Sequence, residues 1–130
     1  MISDEVGFMK QSILKDKSKV FALRIIKLYN YLGTTKHEYV MAKQLLRCGT
    51  SIGANIAEAF YGQSDADFIS KLSISQKECA ETLYWLDLLH ESDIIEDASF
   101  QSIYNDATEL MKLLTSSIKT MKSKNLTPNN

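Results

Sequence analysis

Phe100, Ile103, Ala107, Leu110, Leu114, Ile118 and Met121 recur at spacings of three and four near the end of the chain. That period is the seam a helix turns towards a bundle. It does not suit a strand, whose side chains alternate with period two. Little elsewhere would interrupt helices of similar length, because 130 residues contain one proline and five glycines. The chain is therefore confined to a few long helices.

Residues 17–32, "KSKVFALRIIKLYNYL", are apolar at Val20, Phe21, Leu23, Ile25, Ile26, Leu28, Tyr29, Tyr31 and Leu32, which is more than the single stripe of a surface helix. Gly33 stands at the natural stop, and Thr35 with Glu38 spells a capping box for a second helix over about 36–61, closed by Gly62. Ser64 is placed to cap a third helix over 65–92, with Asp65 and Asp67 where the helix dipole favours acids. After the short link "DIIED" a fourth helix covers 97–122. Short connections between long helices predict an all-α, up-down-up-down antiparallel four-helix bundle. The expected division is a bundle domain at 17–122, an N-terminal extension at 1–16 and a flexible tail at 123–130, where "SKNLTPNN" has no period.

Composition narrows the function classes. One domain accommodates this length, and 45% hydrophobic with 24% charged residues is ordinary for a globular protein. No apolar run reaches the roughly 18–20 residues of a membrane span. "MISDEVGFMK" places acids ahead of its apolar residues, unlike a signal peptide, so a cytoplasmic protein is expected. Cys48 and Cys79 are too few and too far apart for a zinc framework, and His37 and His90 stand alone. No metal or other cofactor is expected.

The stretch "RCGTSIGANIAEA", 47–59, is unusually thin. On a helix, Ile52 and Ile56 fall on the core stripe, while Gly49, Gly53 and Ala57 form one row of small residues at i, i+4 and i+8. Each glycine costs about 1 kcal/mol against alanine in a helix interior, so a close approach must offset it. That approach is either to a neighbouring helix of the bundle, the leading expectation, or to another subunit. A second row carries Gln44, Arg47, Ser51, Asn55 and Glu58 along one helix edge. It reads as a solvated face, a hydrogen-bonded network, or the lining of a ligand or catalytic site. With one carboxylate and no histidine, catalysis is the least favoured. In a hairpin turning near Gln63, residues whose numbers sum to about 127 share a height, so Cys48 meets Cys79 and Arg47 comes near Glu78 or Glu81.

Net charge is only −1, yet it is segregated. Residues 10–53 hold nine Lys or Arg against two acids, residues 54–109 hold two against twelve, and residues 110–130 add four lysines and no acid. Opposite charge on different sides of one subunit suits a heterologous contact between copies, which closes into a ring when the rotation allows. The apolar girdle of the first helix, with Ile74, Trp85 and Leu88 on an outer row of the third, supplies surface for it. Lys15, Lys17, Lys19, Lys112, Lys119, Lys122 and Lys124 gather towards one end of an antiparallel bundle, where they form a candidate contact for RNA or DNA phosphates.

"FALRIIKLYNYL", "EYVMAKQLLRCGTSIGANIAEA", "LDLLHES" and "ELMKLLTSSIKTMK" together resemble the bacterial four-helix bundle proteins described as intervening-sequence proteins of large-subunit ribosomal RNA. The likeness covers roughly 17–122 and is concentrated at Arg47, Ser51, Ile52, Asn55, Ile56, Ala57 and Glu58. Cys48 replaces a more usual serine or alanine, and Ala59 a more usual glycine. The resemblance implies a small bundle without catalytic activity, encoded within insertions in ribosomal RNA genes. It also implies kinship with the accessory protein of diversity-generating retroelements, a ring of five that works with a reverse transcriptase and nucleic acid. On that implication the partners are further copies of the chain, a homopentamer, and RNA, DNA or a nucleic-acid enzyme. The motif residues then serve packing or an interface.

Overall fold

The structure, a computed structural model, describes the backbone of residues 5–126 and the side chains of residues 13–124. Among the described residues there are four helices: α1 (Glu5–Thr34), α2 (Val40–Ala59), α3 (Asp65–Glu91) and α4 (Asp97–Leu126). Each packs on its neighbour in the order α1, α2, α3, α4 and back to α1, so α1 lies diagonally across from α3. The four-helix bundle expected from the sequence is the fold. Among the described residues no helix is long and apolar enough to cross a membrane.

The core is the set of apolar positions the periods select. Phe21, Ile25 and Leu32 of α1, Leu45, Ile52 and Ile56 of α2, Phe68, Leu72, Leu86 and Leu89 of α3, and Ile103, Leu110, Leu114 and Met121 of α4 are all buried. Three hydroxyl residues are buried among them, each donating to a backbone carbonyl: Ser18 to Lys15, Ser75 across the helix pair to Ile52, and Thr82 to Glu78. Such bonds remove the penalty of an unsatisfied buried hydroxyl.

The helix ends depart from expectation in several places; α1 runs through Gly33 to Thr34, and α2 ends at Ala59, short of Tyr61. Helix α1 begins well before residue 17 and carries the buried Leu14, because helix continues wherever a neighbour covers one face. Helix α2 begins at Val40 rather than near 36: Tyr39 is its cap residue without a side-chain bond, and the Glu38 carboxylate accepts from the Val40 and Met41 amides. The Thr35–Glu38 capping box does not form. Helix α4 continues to Leu126, past the anticipated stop near 122, while residues 127–130 lie outside the described residues. The expected Ser64 cap is present, its hydroxyl accepting from the Asp67 amide. Asp93, at φ 62°, supplies the left-handed turn that ends α3, with the Ile94 amide donating back to Leu89.

Candidate functional site

The small-residue row of α2 faces α1. A methyl group added at Gly49 would stand 2.9 Å from both Cγ1 and Cγ2 of the buried Ile25, and one at Gly53 would stand 3.3 Å from the Ser18 carbonyl oxygen. The glycines therefore sit where two helices of one chain crowd together. Ala57, next on the row, is exposed.

The polar row occupies the other edge of α2, along α3. Arg47 is its centre: Nη1 donates to both oxygens of Glu78 at 3.1 and 3.2 Å, and Nη2 to both oxygens of Glu81 at 2.6 Å. The Trp85 indole N–H donates to Glu81 as well, at 3.1 Å. Hydrogen bonding from Arg47, and then from Trp85, holds the Glu81 carboxyl below its usual range, and the bonds to Glu81 and then Glu78 raise the affinity of the Arg47 guanidinium for its proton. Ser51 donates to the Arg47 carbonyl and Asn55 to the Ser51 carbonyl, so both close local turns of their own helix. Glu58 accepts from Lys71 at 2.8 Å. Ile52 and Ile56 are fully buried.

The described clefts lie largely elsewhere. Clefts of about 510 and 250 Å³ run along the α1–α4 seam, floored by Leu28, Ile103, Phe21 and Leu110. A third, of about 420 Å³, lies at the α2–α3 turn and touches the row only at Glu58. Arg47, Ser51 and Asn55 line none of the three. Their polar atoms are spent on helix carbonyls and on α3, which suits a fixed tile of surface and supplies no proton-transfer pair. Cys48 and Cys79 are free thiols inside the α2–α3 pair; burial pushes both up, Cys79 to about 12. Among the described residues no group of three His, Cys, Asp or Glu gathers in a metal-binding cluster.

Of the seven lysines, Lys15 and Lys17 turn to different neighbours. Lys15 sits over the Phe60 ring at 4.8 Å, and Lys17 pairs with Glu109 at 2.9 Å. That pairing sets the α1–α4 register. It places Lys112 level with Lys15, and Lys124 about 18 Å further along at 1.5 Å per residue. Lys19, Lys112, Lys119, Lys122 and Lys124 are exposed.

The sequence matches the family described as "23S rRNA-intervening sequence protein" over residues 10–116, most of the chain. The chain belongs to this family. A crystal structure from Bacteroides thetaiotaomicron VPI-5482, of a protein of unknown function from the S23 ribosomal protein family, is 55% identical, with a TM-score of 0.84. That similarity covers 85% of this chain and 98% of the other. No curated protein matches. Neither the family description nor the neighbour's carries a catalytic activity. In this member of the intervening-sequence family the residues around which the likeness concentrates divide in two: Ile52 and Ile56 fill the core, while Arg47 and Glu58 stand half-exposed on an outer face.

The Arg47 bridge was legible from the hairpin register. The same register holds the Glu58–Lys71 pair and the Ser75–Ile52 bond, which sequence reasoning passed over. The pairs Lys17–Glu109 and Arg24–Asp106 join the first and last helices, whose relative height no turn fixes.

Proposed function

We propose that this intervening-sequence family member is a non-enzymatic cytoplasmic bundle that assembles with its own copies into a closed ring, five in number as the family resemblance implies. It then serves as a scaffold or accessory to RNA, DNA or an enzyme acting on them. One observation carries the reading: α1 turns Val20, Leu23 and Ile26 outwards at 58%, 54% and 41% exposure, on a face that no other helix of the chain covers. Contiguous apolar surface of this kind marks an interface in soluble proteins. The segregated charge supports contact between copies, and the family description supports a setting in ribosomal RNA biology.

Nucleic acid enters through the lysine end. A ring repeats each lysine around its axis, which multiplies phosphate contacts that one subunit supplies weakly. Lys17 contributes least, because Glu109 already holds it.

Light scattering coupled to size exclusion tests the assembly: the expected mass is a small multiple of the 14.7 kDa chain, and a monomer at micromolar concentration and moderate salt would falsify the ring. A mobility shift with structured RNA tests the accessory role. Binding should weaken as salt rises and as Lys112, Lys119 and Lys122 are changed to Gln, with Lys17→Gln nearly silent. No shift at low salt overturns that role.

A further inference from the structure

The larger cleft of the α1–α4 seam, about 510 Å³, falls within the range of about 300–1,000 Å³ that small ligands fill. Its floor is apolar: Ile95 and Ile103 are buried and Leu28 is half-buried. Its rim carries charge of both signs, with Arg24 and Lys27 on α1 and Glu96 just ahead of α4. Arg24 is already held by Asp106 and Ser102. Lys27 and Glu96 are exposed, and among the described residues neither side chain is bonded to the other or to a third group. The unspent charges of the cleft are therefore one cation and one anion.

Helix register sets how far apart they stand. Arg24 pairs with Asp106 across the antiparallel seam, which places Lys27 level with Ile103 and Tyr31 level with Ser99. Glu96 lies seven residues before Ile103 in sequence, hence about 10 Å along the seam at 1.5 Å per residue. Tyr31 and Ser99, both exposed and both lining the cleft, fall midway. From end to end the cleft presents a cation, a pair of hydroxyls and a carboxylate above an apolar floor.

We infer that this cleft binds a short apolar peptide with both termini free, about three residues long, its carboxylate on Lys27 and its ammonium on Glu96. Three extended residues span about 10 Å, the separation the register sets. A single amino acid carries both charges on one carbon and falls short of that span. A nucleotide or a fatty acid would satisfy Lys27 and meet Glu96 with like charge, and a simple amine would do the reverse. In an extended peptide the first and third side chains share a face. Turned to the floor, they reach Ile95 at the ammonium end and Leu28 with Ile103 at the carboxylate end. The central peptide groups then lie between the Tyr31 and Ser99 hydroxyls, each able to donate and accept. The ligand class is the free oligopeptide, a product of peptide-bond hydrolysis.

A saturation-transfer NMR titration of the full chain with the peptide Val-Ala-Val tests this. The free peptide should bind, and acetylating its amine or amidating its carboxylate should each weaken binding by about three- to fivefold, the worth of one exposed charge pair. Glu96→Gln should weaken the free peptide to the same degree and leave the acetylated one unaffected. Lys27→Gln should stand in the same relation to the amidated peptide. Both side chains are exposed, so the fold should persist, as far-UV circular dichroism checks. Absence of binding at millimolar peptide overturns the assignment. So does undiminished binding of the doubly capped peptide, or binding of free valine as tight as that of the tripeptide.

Discussion

Gly49→Ala should destabilise this protein, against the helix propensities of the two residues. In an open helix the change would gain about 1 kcal/mol. Here the new methyl lands 2.9 Å from two carbons of Ile25 and 3.1 Å from a third. Ile25 is fully buried and β-branched, so it has no second rotamer to retreat into. Overpacking of this kind costs about 1–3 kcal/mol, which leaves a net loss of about 1 kcal/mol after the propensity gain. For 130 residues that lowers Tm by about 3–5 °C. The decisive comparison is in Ile25→Ala, which alone costs about 2–5 kcal/mol but removes all three obstructing carbons. In that background Gly49→Ala should stabilise, by about 1 kcal/mol or somewhat more as the methyl fills space. The coupling between the sites is then about 2 kcal/mol. Urea denaturation of the four proteins, at one fixed protein concentration because association adds to stability, reads the cycle directly. If Gly49→Ala raises the urea midpoint equally in both backgrounds, the glycine does not serve the α1 contact and the packing account is wrong.

Two further outcomes follow from the polar row and the thiols. Arg47→Ala should cost well under about 1 kcal/mol at neutral pH, because the guanidinium is half-exposed and such pairs are weak. Glu81 is held below its unfolded-state pKa, so the stability it gains from Arg47 is present above that value and lost as pH falls through the folded one. The gap between wild type and variant in thermal melts should therefore close in the acid range, and a gap that widens there would refute the pairing. Cys48 and Cys79 should resist iodoacetamide at pH 8 in the folded protein and react fully in denaturant, since burial raises both thiols. Rapid alkylation of the native protein, followed by mass spectrometry, would contradict their placement.

Much of the fold was legible because the period of α4 and the hairpin of α2 and α3 are local properties of the chain. A turn near Gln63 fixes the height of every residue on both sides, which is why Arg47 could be set against Glu78 and Glu81 from numbering alone. Helix ends were less legible. Thr35 and Glu38 satisfy the pattern of a capping box, yet Glu38 caps from a loop in which His37 takes φ 55° and the helix starts two residues later. The row Gly49, Gly53, Ala57 was visible as a ridge, but its orientation depends on the approach of α1, and only the structure sets two of the three against it and leaves the last in solvent. The outer polar row was visible as an edge. That it is largely consumed by its own helix and by α3 is a matter of side-chain reach.

The seam between α1 and α4 joins the parts of the chain furthest apart in sequence, and two ion pairs span its clefts. Contacts of long sequence separation carry the largest chain-closure entropy and are gathered late in folding. The hairpin of α2 and α3 can therefore order itself while the outer helices still hang loose, and the bundle is shut by its most non-local seam. Transient opening there would uncover Phe21 and Leu110 without disturbing the Arg47 tile on the opposite flank, so breathing of the subunit and upkeep of its outer surface are mechanically separate.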